Sequence, residues 1–149
     1  MTHQNEAVQI FFDKDGVVFN WVIKNLKTSP ENFLGQITLG VMKKGEVIAG
    51  IILSNIRENV DVWLTIFASD KRWCTRKVLR AVFGVCFDLL KCRRASVRVD
   101  ALNQKSIKLI GGLGFQKEGV LRAFEESGND AIIYSMLNNE CQWRLMKNE

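Results

Sequence analysis

Two spacings of apolar residues along the chain predict its strands and helices. Seven segments are apolar and β-prone, or alternate between apolar and polar residues as a half-buried strand does. They are Ala7–Phe12, Gln36–Met42, Val47–Ile56, Val60–Ala68, Arg94–Ala101, Gln116–Phe124 and Ala131–Leu137.

Helices are predicted where apolar residues recur every three or four positions, which gives one apolar face. This spacing is found over Val17–Leu26 and over Val78–Lys91. Asn103 offers an N-cap for a shorter third helix, and we expect the Gly111–Gly112 pair to end that helix near Ile110.

The predicted element order is β-α-β-β-β-α-β-α-β-β. Three consecutive strands, the first two joined by a turn over residues 43–46, pair most simply as an antiparallel meander. The step from Val60 to Ala101 is a strand–helix–strand unit, which would add a parallel strand by a right-handed crossover. We therefore predict an α+β (mixed α/β) fold with one mostly antiparallel mixed sheet of about seven strands. One domain would cover residues 1–149.

Composition excludes several classes of protein. The chain is 47% hydrophobic and 25% charged, as in ordinary globular domains, and no run approaches the roughly 18 apolar residues of a membrane helix. The N-terminus shows no secretory signal. The four cysteines form no C-x-x-C pair and His3 is the only histidine, so neither a metal site nor a histidine-dependent nucleophile is expected. Unpatterned cysteines without a signal favour reduced thiols and a cytoplasmic location.

The net charge of +5 is unevenly distributed along the chain. Residues 71–108 hold eleven basic and two acidic side chains, a block of +9, so the remainder carries −4. A solvated face could have this composition by chance, and a site for phosphate groups is the more specific interpretation.

The start of this block is a junction between a strand and a helix. Residues 66–78 read IFASDKRWCTRKV, in which a strand ends, a short polar loop follows and a long helix begins. The free N–H groups and the positive dipole at a helix start attract anions. Basic side chains oppose that dipole, so their presence here favours a bound anion.

A second informative stretch is residues 103–122, which read NQKSIKLIGGLGFQKEGVLR. It contains N-x-x-S, a short apolar-faced helix, G-F and then E-G-x-L-R. This series resembles the C-terminal half of the GNAT superfamily of acyl-CoA-dependent N-acetyltransferases. It is most similar to the branch that contains the ribosomal-protein N-terminal-alanine acetyltransferases. Phe87, the pair Arg93-Arg94 and the run Tyr134–Leu137 agree with it, so the resemblance covers roughly residues 36–138.

The resemblance implies an acetyl-CoA site along the strand before the long helix. The pantetheine arm would pair with the backbone of Ile66, Phe67 and Ala68, like an additional strand. The pyrophosphate would lie on backbone N–H groups of the following loop and helix start. The residues there are Arg72, Trp73, Cys74, Thr75, Arg76 and Lys77.

The resemblance also implies a reaction and two further residues. Asn103 would cap its helix and orient polar groups of the arm, and Ser106 would be the catalytic acid that protonates the departing thiolate. The family reaction is direct attack of an amine on the thioester, with no acyl-enzyme and no metal. It needs a neutral amine, an oxyanion donor and a route for the proton. The acceptor would be a small amine, a protein N-terminus or a lysine.

This chain departs from the family pattern at two places. Family members usually carry Q/R-x-x-G-x-G/A at the phosphate loop, whereas residues 72–77 contain no glycine. Either the basic side chains compensate or CoA binds weakly. Many members also have a tyrosine where this chain has Ile110, which leaves Ser106 as the obvious proton donor, with Tyr134 as an alternative. Asp61 and Glu118 are the candidate general bases.

A rival motif lies near the N-terminus. Residues 10–18 read IFFDKDGVV and resemble the first motif of the haloacid dehalogenase superfamily. In that chemistry Asp13 would accept the phosphoryl group, Asp15 would be the general acid and Mg²⁺ would balance their charge. The alternative interpretation is a strand-to-helix turn in which Asp13 caps the helix and Gly16 loosens its first turn.

A non-catalytic CoA-binding or nucleic-acid-binding module is the third possibility. Trp73 and Phe67 lie beside the basic block, and a positive patch with aromatic residues can bind single strands. No standard nucleic-acid-binding motif is present, so this interpretation is not favoured.

Overall fold

The structure, a computed structural model, describes residues 7–144 and has the predicted order of strands and helices. The strands are β1 Gln9–Phe12, β2 Ile37–Lys43, β3 Glu46–Arg57, β4 Asp61–Ala68, β5 Arg94–Asp100, β6 Gln116–Leu121 and β7 Ala131–Leu137. The helices are α1 Val17–Leu26, α2 Arg76–Gly84 and α3 Gln104–Leu113. Short helical segments occupy Pro30–Asn32, Lys71–Trp73, Val85–Leu89 and Asn138–Glu140. His3 lies outside the described residues.

The strands form one sheet in the order β1-β2-β3-β4-β5-β7-β6. Neighbouring strands are antiparallel throughout, except for β4 and β5, which are parallel. Helix α2 lies in the crossover that a parallel pair requires. The predicted fold class, a mostly antiparallel mixed sheet with one strand–helix–strand unit, is confirmed.

The helices cover the two faces of the sheet unequally. Ile51 and Leu53 of β3 belong to the large core cluster that also contains residues of α2 and α3, whereas Ile52 packs with Val18 and Val22 of α1. Successive side chains of a strand point to opposite faces, so α1 lies on one face and the other two helices on the opposite one. Helix α1 packs against β2, β3 and β4.

A polar network occupies the α1 side of the sheet beyond β4. Arg94 of β5 donates through Nε to Ser96 at 3.1 Å and through Nη2 to Glu118 of β6 at 2.8 Å. Ser135 of β7 donates to the other oxygen of Glu118 at 2.6 Å. Glu118 is placed at a register shift in β6 between Lys117 and Gly119, a β-bulge that bends the strand at this side chain.

Two predicted boundaries are wrong, the ends of α3 and of β6. Helix α3 continues through Gly111 and Gly112 and ends at Gly114, whose φ of 107° is the left-handed conformation typical of a C-cap. Glycine lowers helix propensity by only about 1 kcal/mol, and the buried contacts of Ile110 and Leu113 outweigh that cost. Strand β6 ends at Leu121, before the predicted Phe124, whereas the helix predicted to run to about Lys91 does continue beyond α2, as the π-helical segment Val85–Leu89.

We predict opposite effects for alanine at two glycines. A Cβ on Gly50 would meet Val22 and would lie 2.8 Å from Val18 Cγ1, so Gly50→Ala pushes α1 away from the sheet. It should lower the free energy of unfolding by about 1–3 kcal/mol. A Cβ on Gly111 meets nothing within 4 Å, so Gly111→Ala should raise it by about 0.5–1 kcal/mol. Urea unfolding measures both, and a Gly50→Ala midpoint at or above that of the wild type would contradict this packing.

Candidate active site

Strands β4 and β5 pair over only half of their length. Asp61–Leu64 is in register with Arg94–Val97, and the pairing stops there. Residues 65–68 remain paired with β3 on their other side, while β5 continues its pairing with β7. We call the space between residues 65–68 of β4 and residues 98–100 of β5 the strand cleft. Among the described residues no strand pairs with this edge of β4, so its backbone can receive an extended ligand.

The predicted pantetheine-binding residues form the β4 side of the strand cleft. The side chains of Ile66 and Ala68 pack against the large core, and Phe67 packs edge-to-face on Trp21 with ring centroids 5.2 Å apart. All three side chains anchor the strand, which leaves the backbone edge as the part that faces the cleft.

Most backbone donors of the predicted phosphate loop already have partners. The N–H groups of residues 72–75 donate to the side chain of Asp70 or to carbonyls two or three residues earlier. Thr75 caps α2 by accepting the N–H of Val78 at 3.2 Å. In the part of the chain that the structure describes, the N–H groups of Arg76 and Lys77 have no acceptor. These two donors are therefore the ones that an anion at the start of α2 can use.

The carboxylate of Asp70 lies inside this loop. Its Oδ1 accepts the backbone N–H of Arg72 at 2.9 Å, and its Oδ2 is 2.6 Å from Nη2 of the same arginine. These hydrogen bonds from Arg72 hold the pKa of Asp70 at about 2, so the carboxylate is ionised at neutral pH. The chain thus supplies its own anion to the loop in which the family resemblance expects a phosphate.

The other side chains of the loop are directed to separate partners. The guanidinium of Arg76 lies 5.3 Å from the ring centroid of Trp143, and Lys77 Nζ donates to the carbonyl of Val8 at 3.2 Å. Trp73 is 4% exposed and belongs to the core, so its ring is not available to a ligand. Cys74 is half-buried, and desolvation raises the pKa of its thiol.

The predicted roles of Asn103 and Ser106 meet at the start of α3. Asn103 is the N-cap, and its side-chain oxygen accepts the backbone N–H of Ser106 at 3.1 Å, which confirms the expected cap. The hydroxyl of Ser106 has no partner among residues 7–144 and is partly exposed. It is therefore free to donate a proton, and its proposed catalytic role stays a prediction.

The candidate general bases, Glu118 and Asp61, and the alternative proton donor, Tyr134, have different hydrogen-bond partners and different burial. The pKa of Glu118 is lowered by the hydrogen bond from Ser135 and by Arg94, so this carboxylate is a weak proton acceptor. Asp61 is 8% exposed and accepts from Arg57 Nε at 2.7 Å. Tyr134 is 7% exposed and packs in the large core, as expected for a strand residue.

A cavity of about 560 Å³ lies beside the paired half of β4. Its lining residues are Leu34, Gly35, Asn55, Ile56, Arg57, Asp61 and Trp63. The sequence analysis singled out Asp61 alone among them. Trp63 was not among the predicted site residues. The alternation along β4 nevertheless places this tryptophan on the polar face of the strand with Asp61 and Thr65, and that position is a signal that could have indicated it. We refer to this space as the Trp63 cavity.

The residues of the rival phosphatase motif have structural roles. Asp13 accepts the N–H of Phe19 at 2.9 Å and Asp15 accepts the N–H of Val17 at 3.2 Å, so both bind the start of α1. Within the described range no three His, Cys, Asp or Glu side chains lie close enough to hold a metal ion. The mixed, mostly antiparallel sheet is not the doubly wound parallel sheet of that superfamily, so the capping interpretation of Asp13 is correct.

The aromatic residues proposed for nucleic-acid binding are not exposed as a platform. Trp73 is buried in the core, and Phe67 packs on Trp21. Within the basic block, Arg94 pairs with Glu118 and Arg98 with Glu125. The buried rings and the paired arginines argue against a nucleic-acid-binding surface, because base stacking needs exposed aromatic ring faces. No helix in residues 7–144 is long and apolar enough to cross a membrane, and the four cysteines, all within this range, form no disulfide there.

Comparisons with known proteins agree with this geometry. No family model matches the chain. It is 39% identical over 57 residues to an uncharacterised N-acetyltransferase, p20, of Bacillus licheniformis, which covers 36% of this chain and 32% of that protein. The chain thus spans about a third of the length of this relative.

Solved structures of acetyltransferases share the architecture. A spermidine N-acetyltransferase mutant from Vibrio cholerae matches with a TM-score of 0.70 at 14% identity, covering 87% of this chain and 93% of that one. A ribosomal-protein-S5-alanine acetyltransferase from Vibrio fischeri matches with a TM-score of 0.60 at 18% identity, covering 83% and 72%. The chain therefore has the fold of the GNAT acetyltransferases, the superfamily that its motifs resemble.

Proposed function

We propose that the protein is an acetyl-CoA-dependent N-acetyltransferase that transfers the acetyl group directly to a primary amine. The observation that carries this proposal is the strand cleft. Within residues 7–144, the second half of the β4 edge is unpaired and leads to the start of α2, where the N–H groups of Arg76 and Lys77 have no protein acceptor. An elongated ligand with a polar arm and a phosphate group at one end fits the β4 edge followed by the N–H groups at the helix start.

The donor residues follow from that placement. The backbone of Ile66, Phe67 and Ala68 would bind the pantetheine arm, and the helix start at Arg76 and Lys77 would bind the pyrophosphate. Arg72, Trp73, Cys74 and Thr75 would contribute through the shape of the loop, since their N–H groups are engaged within it. Asn103 would orient the arm from the start of α3.

Acetyl-CoA supplies a thioester, whose carbonyl carbon forms the new C–N bond while the C–S bond breaks. The residues of this chain then manage two protons: one leaves the amine and one reaches the departing thiolate. Ser106 is our candidate for the second transfer because its hydroxyl is unpartnered in the described structure. Asp61 is the better candidate for the first, since Glu118 holds its negative charge through Ser135 and Arg94.

The proposed acceptor is a primary amine of unspecified type. The neighbours in fold are named for spermidine and for a ribosomal-protein alanine. A small amine, a protein N-terminus or a lysine would each present the same reacting nitrogen. We place the reaction in the cytoplasm, because the four cysteines form no disulfide in the described part of the chain, as is usual in a reducing compartment.

Calorimetric titration with acetyl-CoA tests the proposal directly. We expect saturable binding at micromolar to millimolar ligand, and release of free thiol when a primary amine is added. An assay of Mg²⁺-dependent phosphatase activity should be negative. If millimolar acetyl-CoA gives no binding heat, the acetyltransferase proposal is wrong.

Replacing Asp70 by asparagine should strengthen CoA binding. Asparagine still accepts the N–H of Arg72, so the loop keeps its cap, and the charge that competes with phosphate is removed. We expect a two- to five-fold lower Kd for CoA, and a smaller gain at high salt because salt screens exposed charges. Asp15→Asn, which removes an exposed carboxylate at the start of α1, is the matched control and should leave the Kd unchanged. An equal or higher Kd for Asp70→Asn would show that Asp70 does not compete with the cofactor.

Substitutions in the first turn of α3 should separate catalysis from stability. Ser106→Ala removes the proposed proton donor and should lower kcat by about 10²-fold or more with CoA binding unchanged. Asn103→Ala removes the cap and should cost about 0.5–2 kcal/mol of folding free energy. Ser127→Ala, in the connection between β6 and β7, is the serine control. A Ser106→Ala enzyme with the kcat of the wild type would remove Ser106 from the mechanism.

A further inference from the structure

We infer that Asp100 and Asn129 are a positioning pair for the proposed proton transfer. Asp100 fixes the turn from β5 into α3, the helix that carries Ser106, and Asn129 fixes the carboxylate of Asp100. This inference deepens the proposed function and rests on it, because the pair acts through the serine that we propose as proton donor. The sequence analysis singled out neither residue of the pair, since they lie 29 residues apart in the chain.

The first argument is the turn that Asp100 closes at the start of α3. Asp100 is the last residue of β5 and lies on the β5 side of the strand cleft. Its Oδ1 accepts the backbone N–H of Leu102 at 2.9 Å, and its own carbonyl accepts the N–H of Asn103 at 2.9 Å. The first bond is an Asx-turn, and the second closes a β-turn over residues 100–103. A single residue therefore sets the path of the chain into α3 with both its side chain and its backbone.

The second argument is the short path from this turn to Ser106. Asn103, the last residue of the turn, is the N-cap of α3, and its side chain accepts the N–H of Ser106 at 3.1 Å. The carbonyl of Asn103 accepts the N–H of Ile107 at 3.0 Å, so the first turn of the helix follows directly from the cap. The position of the Ser106 hydroxyl therefore depends on the turn that Asp100 closes.

Proton transfer is sensitive to such a position. In the proposed step the O–H bond of Ser106 breaks and an S–H bond forms at the departing thiolate, while the proton released by the amine restores the hydroxyl. The donor must come within about 2.6–3.2 Å of the atom that it protonates, and a displacement of about 1 Å can cost on the order of 10²-fold in rate. A loosened turn would thus lower kcat even where the helix still forms.

The third argument is the way in which the carboxylate of Asp100 is held. Nδ2 of Asn129, in the connection between β6 and β7, lies 3.2 Å from Oδ1 and 3.2 Å from Oδ2 of Asp100. Within residues 7–144, the donors to this carboxylate are the uncharged N–H groups of Leu102 and Asn129. An ionised carboxylate only accepts hydrogen bonds, so the NH₂ group of an asparagine is a suitable partner at this position. Asn129 therefore orients the side chain that closes the turn.

The fourth argument is that the connection carrying Asn129 is itself fixed beside β5. The carbonyl of Asn129 accepts the N–H of Glu125 at 3.0 Å within the connection. The carbonyl of the next residue, Asp130, accepts the N–H of Ala101 at 2.9 Å, directly after Asp100. These bonds fix the backbone of Asn129 relative to the end of β5, so its amide is a rigid support for the Asp100 carboxylate.

The test measures thiol release from acetyl-CoA with spermidine, an alanine-ended peptide and a lysine-containing peptide, and uses the probe that the wild type acetylates fastest. Asp100→Ala should lower kcat about tenfold or more and leave the KM for acetyl-CoA within about threefold. Asp100→Asn, whose side-chain oxygen still accepts the N–H of Leu102, should keep kcat within about threefold of the wild type. Asp15→Ala is the matched control, because Asp15 accepts the N–H of Val17 in the same way at the start of α1. It should leave kcat unchanged.

Exchanging the two residues of the pair is a more specific test. Asn129→Asp places two carboxylates in contact and should lower kcat at least as much as Asp100→Ala. The double variant Asp100→Asn with Asn129→Asp again has one amide and one carboxylate, and should recover kcat to within about threefold of the wild type. In a Ser106→Ala background, Asp100→Ala should change kcat by less than about twofold, because the pair acts through Ser106.

Hydrogen exchange separates this inference from the proposed function, because it needs no turnover. Asp100→Ala and Asn129→Ala should each speed the exchange of the Leu102 and Ser106 N–H groups about tenfold or more, and Asp15→Ala should not. No thiol release with any probe, together with faster exchange in both variants, would overturn the proposed function and keep the pair as the support of α3. Thiol release with kcat unchanged in Asp100→Ala, an equal loss in the Ser106→Ala background, or unchanged exchange would overturn the inference and leave the acetyltransferase proposal standing.

Discussion

The arrangement of this molecule depends on one strand, β4, losing its partner halfway along its length. Its first half is fixed on both sides, by β3 and by the parallel strand β5, whereas its second half pairs, among the described residues, with β3 alone. Backbone N–H and C=O groups at such an edge bond to water or to a ligand, so the topology leaves this edge open to an extended ligand. The parallel pairing requires a crossover, and this places the start of α2 at the end of the same edge.

The loop between β4 and α2 lacks the glycines of the phosphate-loop pattern Q/R-x-x-G-x-G/A, and side-chain hydrogen bonds close it instead. Glycine would let the backbone approach a diphosphate closely, whereas here Asp70 and Arg72 close the loop on each other and Thr75 caps the helix. The arrangement stabilises the loop in the absence of any ligand and occupies donors that a phosphate would otherwise meet. In our proposal, these contacts within the loop weaken the binding of acetyl-CoA.

Sequence patterns predicted most of the fold and less of the site. The two periodicities placed the seven strands and the first two helices of the described chain, because burial of an apolar face is the dominant requirement on each element, and the cap at Asn103 placed the third helix. The expected helix end at Gly111 and Gly112 was wrong, because packing of the flanking Ile110 and Leu113 outweighs a small loss of helix propensity. Sequence patterns did not predict the Trp63 cavity, because its lining residues come from a loop and two strands that each pattern describes separately.

The sequence by itself determined the order of elements, the cap at Asn103 and the motif resemblance, since each depends on residues close together in the chain. Only the tertiary structure decided where β4 and β5 part, and that the Asp70 carboxylate fills the loop beside the strand cleft. It also decided that Trp73 is a core residue and Trp63 a cavity wall. Both are tryptophans beside polar residues, and only the packing of distant segments distinguishes the buried ring from the available one.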